Sequence, residues 1–251
     1  MLVSVILPTY NESGNIGDLI DSIEAVSLPK SWDTEIVVVD DNSPDGTAEV
    51  VRNCQIQMMA KKASGEFSGP CFDIKLLVRT EEHGLATAIK YGILNSTGEV
   101  IVVMATDVNH DPRMIPQMVK FLEFYDMVTG SRFVMGGGME DRGRYFISLL
   151  YNLFVRMLLR SQVQDNLSGF FAIRREKLAA LNLDAIFLGY GEYFIRLLYS
   201  ARRRKYRMLE VPVFYILRRH GQSKSRFLSM LRDYTGCVLS LWSRGGRTVD
   251  G

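Results

Sequence analysis

Asp107 and Asn109 lie two apart in the stretch EVIVVMATDVNHDP (99–112), a carboxylate and an amide that project to the same side of an extended segment. Hard divalent cations take such oxygens, and Mg²⁺ commonly needs only one or two protein carboxylates when a phosphate group completes its shell. Two other stretches carry comparable clusters, VSVILPTYNE (3–12) and EIVVVDDNSPDGT (35–47). In the first, Pro8 sets a turn and Tyr10 offers a flat face to a nucleobase. Glu12 either joins the site or caps the next helix. In the second, one of Asp40 and Asp41 can accept a hydrogen bond from a base N–H or a ribose hydroxyl. An Asx turn opening the following helix explains the same pair. His110, followed by Asp111 and Pro112, reads as a helix start and not as a ligand. No G-x-G-x-x-G follows the first apolar run and no Walker lysine motif occurs, which argues against dinucleotide and P-loop chemistry.

All three clusters follow short β-branched runs, where buried strands should stop. Ligands of open α/β sheets bind beyond the carboxyl ends of the strands, so the three clusters are expected to share one pocket for a nucleotide diphosphate and its metal. The spacing predicts strands at 3–7, 35–39, 74–78 and 100–104. A helix is predicted from Ile16, Leu19, Ile20 and Ile23, then one of about two turns through Val51, and another over 84–94. Residues 60–70 read as loop, 112–124 as helix, 126–129 as a short strand and 136–138 as a flexible loop. This alternation is that of an α/β fold with a mostly parallel sheet.

The chain has 251 residues, 47% hydrophobic and 23% charged, enough for one domain with a sizeable core. Its net charge of +2 hides an asymmetry. Residues 1–126 hold 9 Lys and Arg against 19 Asp and Glu, whereas residues 196–251 hold 13 against 3. The basic end suits an anionic membrane surface; the acidic front argues against nucleic acid, for which no motif is present. Cys54, Cys71 and Cys237 are odd in number and widely spaced, which fits reduced thiols and no disulfide framework or zinc site. No signal peptide and no membrane span is expected.

Two later stretches are strongly apolar. Residues 145–160 leave one narrow polar stripe at Ser148, Asn152, Arg156 and Arg160, and residues 227–242 align Phe227, Met230, Leu231, Tyr234, Val238 and Trp242. Either helix can cap the core, or lie in a membrane interface with its apolar face in the headgroups.

Taken together, the motifs resemble the inverting glycosyltransferases of the GT-A type, specifically the polyprenyl-phosphate (dolichol-phosphate) mannosyltransferase group. The resemblance runs over residues 3–226 and includes RTEEHGLATAIKYGI (79–93), GSRF (130–133), DRGRYFIS (141–148), DNLSGFFAIRR (165–175) and VPVFYILRRHGQSK (211–224). It implies a GT-A domain over 1–226, an amphipathic interface helix over 227–244 and a flexible tail over 245–251. By the same resemblance Pro8, Tyr10, Glu12, Val39, Asp41, Ala105 and Thr106 bind the nucleotide, and Asp107 and Asn109 hold Mg²⁺ or Mn²⁺ on its diphosphate. Arg132, Arg144, Arg218, Ser223 and Lys224 surround the acceptor phosphate, with Asp107, Arg132, Arg218 and Lys224 serving catalysis. The implied reaction moves a hexose, mannose from GDP-mannose, to a dolichyl or polyprenyl phosphate at the cytoplasmic face of a membrane. The protein is then peripheral, with a separate membrane-anchoring subunit as a further expected partner.

The family's Asp-x-Asp reads Ala105–Thr106–Asp107 here, so one carboxylate of the pattern is absent. A phosphate acceptor is already anionic near neutral pH, its second pKa being about 6, and needs no strong base. Three rivals remain: a UDP-glucose or sugar-hydroxyl transferase, a non-catalytic nucleotide-sugar-binding member, and a nucleic-acid binder. The hydroxyl acceptor would need a base, with Glu192 and Asp165 as the candidates.

Overall fold

The computed structural model describes residues 1–26, 29, 31–65, 71–107, 109–216 and 227–243. In chain order the strands are β1 (Leu2–Thr9), β2 (Asp33–Asp40), β3 (Phe72–Val78), β4 (Val100–Val103), β5 (Met127–Ser131), β6 (Gly138–Met139), β7 (Phe171–Arg174), β8 (Met208–Pro212) and β9 (Phe214–Tyr215). The α-helices are α1 (Ile16–Glu24), α2 (Thr47–Ser64), α3 (Leu85–Leu94), α4 (Ile115–Phe121), α5 (Arg142–Leu159), α6 (Arg175–Ala179), α7 (Leu183–Ile186), α8 (Glu192–Arg203) and α9 (Phe227–Ser243).

Seven strands form one sheet in the order β3-β2-β1-β4-β7-β5-β8, and β6 pairs with β9 in a separate ribbon. All pairings in the large sheet are parallel except those of β7, which runs antiparallel to both β4 and β5. Alternation along the strands decides which helices pack where. Val3, Val5 and Leu7 of β1 join Ile36 and Val38 of β2 against α1, α2 and α4, while Ile6, Val37 and Val39 face α3 and α8. The sheet is thus covered on both faces, which is why its strands read as unbroken apolar runs.

The expected strands and first helix are present with small shifts of boundary. Helix α2 is much longer than the predicted two turns, reaching Ser64, so part of the predicted 60–70 loop is helix. Its apolar residues are spread around the axis: Val51 and Met58 are buried while Ile56 and Met59 are exposed. The predicted 112–124 helix begins as a 3₁₀ turn (Pro112–Met114) capped by the Asp111 carboxylate and continues as α4. Gly138, placed in a loop by the sequence reading, opens β6.

The two apolar helices behave differently. In α9, Tyr234, Cys237, Val238 and Leu241 are buried against Val155 and Leu159 of α5 and Ile195 and Tyr199 of α8, leaving Leu239 and Trp242 exposed. In α5 the polarity is inverted relative to an ordinary surface helix. Asn152 of the polar stripe is 1% exposed, donating to Ser148 O and accepting from the Asn166 amide, whereas Phe146, Ile147, Leu150, Leu153 and Met157 are exposed. No described helix is long and apolar enough to cross a membrane. Residue 244, the expected end of the interface helix, and the expected tail at 245–251 lie outside the described residues.

Candidate active site

Because β1, β2 and β4 are parallel and adjacent, their carboxyl ends meet at one edge of the sheet. The loops after β1 and β2 are tied together by backbone donors. Asn11 N–H donates to Ser43 Oγ at 2.9 Å, Glu12 N–H to Thr47 Oγ1 at 2.9 Å, and Ser13 N–H to Asp45 Oδ2 at 3.0 Å. Asn11 and Asn42 take left-handed conformations (φ 54° and 53°), which asparagine tolerates better than most residues. A cavity of about 620 Å³ opens at this edge, with Pro8, Tyr10, Glu12, Asp41, Ala105, Thr106 and Asp107 all in its wall. The three clusters therefore share one pocket, as expected.

Asp40 and Asp41 divide their roles. Asp40 is buried and holds the turn, accepting from Thr9 Oγ1 and from Ser43 N–H. Asp41 lines the cavity, with one oxygen gripped by Arg79 Nε (2.7 Å) and Nη2 (2.5 Å) and the other accepting Gly84 N–H (2.7 Å). Gly84 sits at φ +133°, a conformation L side chains rarely adopt, and this brings its amide to the carboxylate. Val39 is not in the cavity wall: its side chain is fully buried between sheet and α3, and its carbonyl accepts from Thr9 Oγ1. Glu12 accepts from the Asn15 side chain while remaining in the cavity wall, so it is no simple helix cap.

At the corner after β4, where a metal was expected, Ala105 N–H donates to His110 Nδ1 at 2.8 Å and Thr106 Oγ1 donates to Pro8 O at 3.3 Å. Asp107 reaches the cavity; Asn109, half-buried, is not among the described residues that line it. Among the described residues no group of three or more His, Cys, Asp or Glu could hold a metal by itself. One carboxylate in the cavity wall, Asp107, nonetheless fits a hard cation that takes its other oxygens from a diphosphate and water. Burial pushes the His110 imidazole down to about 4, against a pull upward from Asp107, so it stays neutral.

A second cavity of about 480 Å³ lies between α5 and α9, lined by Arg132, Met139, Arg144, Ile147, Ser148, Tyr151, Leu167, Met230, Leu231 and Tyr234. Arg132 is buried and bidentate to Asp165, Nε to Oδ2 at 2.7 Å and Nη2 to Oδ1 at 2.8 Å. Burial opposes its charge, but Asp165 raises its pKa further above the ordinary arginine range. The Arg132 guanidinium also stacks over the Tyr215 ring, 4.8 Å from its centroid. Arg144 is exposed in the first turn of α5, with its amide donating to Asp141. Arg218, Ser223 and Lys224 lie outside the described residues.

Neither candidate base is placed to act as one. Asp165 is fully buried and spends both oxygens on Arg132, with Leu167 N–H as a further donor. Glu192 is buried too; it accepts Tyr190 N–H and faces Arg196, and it lines neither cavity. Arg79, Gly84, Tyr190 and Tyr215 escaped the sequence reading as site residues. Arg79 and Gly84 lie inside the quoted 79–93 motif and Tyr215 inside 211–224, so the signal was present without a role attached.

Known proteins resemble this chain in sequence and in fold. A dolichol-phosphate mannosyltransferase of Pyrococcus furiosus is 35% identical over 230 residues, 89% of this chain, which spans 59% of that protein's length. An undecaprenyl-phosphate mannosyltransferase of Micrococcus luteus is 32% identical over 234 residues, 89% of this chain and 87% of that protein. Among solved structures, glucosyl-3-phosphoglycerate synthase from Mycobacterium tuberculosis in complex with Mn²⁺, UDP and glucosyl-3-phosphoglycerate superposes with a TM-score of 0.68. The match is 22% identical and covers 96% of this chain and 80% of that one, a likeness of fold. The family model described as glycosyl transferase family 2 matches residues 4–181, from β1 through β7, and the chain belongs to that family.

Proposed function

We propose that this protein transfers a hexose, mannose from GDP-mannose, to a dolichyl or polyprenyl phosphate with inversion at the anomeric carbon. One observation carries the reading. The cavity beside the nucleotide pocket is largely apolar, contains Arg132 and Arg144, and has no carboxylate among its described lining residues. That composition suits a lipid whose head is an anion, and it does not suit a hydroxyl acceptor that must lose a proton. The names of the two curated relatives point to the same acceptor class.

In this reading Tyr10 and Asp41 hold the nucleoside, while Asp107 faces its diphosphate. A divalent cation bound there, Mg²⁺ or Mn²⁺, supplies positive charge to the departing diphosphate. Arg132, kept charged and oriented by Asp165, and Arg144 attract the acceptor phosphate and offset its repulsion from the donor's anions. A phosphate oxygen attacks the anomeric carbon from the face opposite the diphosphate. One C–O bond forms as another breaks, and no proton has to move.

The exposed apolar face of α5 belongs to the same proposal. Phe146, Ile147, Leu150, Leu153 and Met157 would rest in the headgroup region of an anionic leaflet, with Arg142, Arg144 and Arg160 against lipid phosphates. The protein is then peripheral, and the lipid acceptor enters the α5–α9 cavity from the bilayer beside it.

The test is transfer from radiolabelled GDP-mannose, and separately UDP-glucose, to a short polyprenyl phosphate or the matching polyprenol, with and without Mg²⁺ or Mn²⁺. Metal-dependent product on the phosphate alone, with GDP-mannose preferred, is expected. Equal transfer to the free alcohol would overturn the acceptor. No transfer with either donor, together with intact nucleotide binding, would favour the non-catalytic reading that Ala105 suggests.

A further inference from the structure

The two cavities are joined by a chain of buried contacts that neither substrate has to touch. The Ala105 amide can only donate, so His110 Nδ1 is the accepting nitrogen and the proton resides on Nε2. Nε2 lies 2.9 Å from Tyr215 Oη and therefore donates to it. The Tyr215 hydroxyl in turn donates to Ser168 O at 3.0 Å. Its ring lies under the guanidinium of Arg132, whose other partner is Asp165. The imidazole is held flat against Phe170, centroids 4.7 Å apart and planes 12° from parallel, so the ring has one orientation in which both bonds form.

We propose that His110 and Tyr215 are positioning residues, a hydrogen-bonded strut that fixes the metal corner relative to Arg132 and makes the seating of the donor diphosphate and of the acceptor phosphate interdependent. The inference rests on the function proposed above, in that it assigns Asp107 to one anion and Arg132 to the other. Such a strut is needed because the two anions must be held in attacking distance, and misplacement by about 1 Å costs about 10²-fold in rate. No strand pairing holds 105–110 against 132, because β7 lies between β4 and β5 in the sheet. Tyr215 also ends β9, at the start of the segment that carries Arg218, Ser223 and Lys224.

The alternative is a buried histidine and tyrosine that merely pack, and Tyr215→Phe separates the two. It keeps the ring, its contact with Arg132 and the volume, and removes only the hydroxyl. His110→Asn is the partner variant, because its Oδ1 can still accept from Ala105 while the link to Tyr215 is lost. The measurement is calorimetric titration of Mn²⁺ with GDP or UDP into each folded protein, with and without a short polyprenyl phosphate. The strut predicts about 10-fold weaker Mn²⁺-dependent nucleotide binding in each single variant, the usual scale for groups that orient metal ligands. It also predicts no further loss in the double variant, and loss of any tightening by the polyprenyl phosphate.

Unchanged nucleotide affinity in both single variants, or a double variant equal to the product of the singles, overturns the strut. A wild-type protein that binds Mn²⁺ and nucleotide but ignores the polyprenyl phosphate overturns the acceptor reading instead, while the nucleotide arm still decides the strut. Absence of any wild-type nucleotide binding overturns the donor site, and the strut with it.

Discussion

Arg79 and Asp41, 38 residues apart in sequence, share one carboxylate oxygen through two guanidinium nitrogens; both side chains are buried, and Asp41 lies in the wall of the cavity at the carboxyl ends of β1, β2 and β4. The pair is built by register: Asp40 at the end of β2 faces Val78 at the end of β3, which sets the next residue of each chain side by side. Arg79 also donates to Thr87 Oγ1 and Gly84 O, fixing the entry to α3. Arg79→Leu leaves a buried carboxylate without its cation, which costs about 3–5 kcal/mol. Urea unfolding should show that loss, and nucleotide affinity should fall with it. A variant as stable as wild type would mean the carboxylate rehydrates through the pocket.

Ala105 stands where the family's pattern has a carboxylate, half-buried in the wall of the cavity that holds Asp107. Ala105→Asp puts two like charges at one corner. In metal-free buffer the melting temperature should fall, and Mn²⁺ should restore it by more than it shifts wild type, because only the cation relieves the repulsion. Thermal shift with and without Mn²⁺ measures both. Absence of metal-specific recovery would show that position 105 does not face the cation.

Asp45 supplies a pH test of the loop lock. Burial opposes its ionisation, but the Thr47 hydroxyl and the Ser13 amide hold its carboxyl at about 2, below the ordinary 3.8. A depressed carboxylate contributes stability above its unfolded pKa, and that contribution is lost as pH falls toward the folded value. Asp45→Asn should therefore be less stable than wild type at pH 6, with the difference closing between about pH 4 and pH 2. Urea midpoints across that range check the sign. A gap that widens on acidification would contradict it.

Gly92 in α3 packs directly on the sheet. A Cβ there would lie 2.6 Å from Ile6 Cγ2 and 3.0 Å from Val39 Cγ2. Gly92→Ala gains about 1 kcal/mol of helix propensity but overpacks a core contact, costing about 1–3 kcal/mol. Net destabilisation is expected in denaturant titration, despite a substitution that stabilises most helices.

The α5 face gives a measurement at the membrane. Flotation with anionic vesicles should decrease as salt rises yet leave a salt-resistant fraction, since apolar insertion is not screened. Changing Leu150, Leu153 and Met157 together to serine should remove that fraction with little effect on melting, because all three are exposed. Equal flotation by wild type and variant at high salt would remove α5 from the interface.

The first half of the sheet was readable because its signals are local. β-branched runs announced β1, β2 and β4, and the polar residues at their ends announced the pocket. What the sequence did not disclose depends on pairing across the fold. Asp41 could be named but not Arg79, because their meeting is set by the β2–β3 register. His110 was rightly placed before a helix start, yet its partner Tyr215 is 105 residues away. α5 was legible as two alternatives, since apolar composition alone does not say which side of a helix faces the protein; burial of Asn152 decides that. β7 and α8 were not predicted. β7 is four residues long, and neither its antiparallel sense nor its place between β4 and β5 is written in any local pattern.

That placement bears on how the chain is made. β7 is the strand that connects the β3-β2-β1-β4 half of the sheet to β5 and β8, and it is synthesised after both β4 and β5. Until residues 171–174 leave the ribosome, β4 presents the unpaired backbone of Val100–Val103, an apolar edge of the type that recruits strands from other chains. The nascent first half can complete its own helices but not its last sheet partner. Truncations ending before 171 should therefore accumulate as aggregates in which this edge is paired between molecules, whereas those ending after 174 can close it.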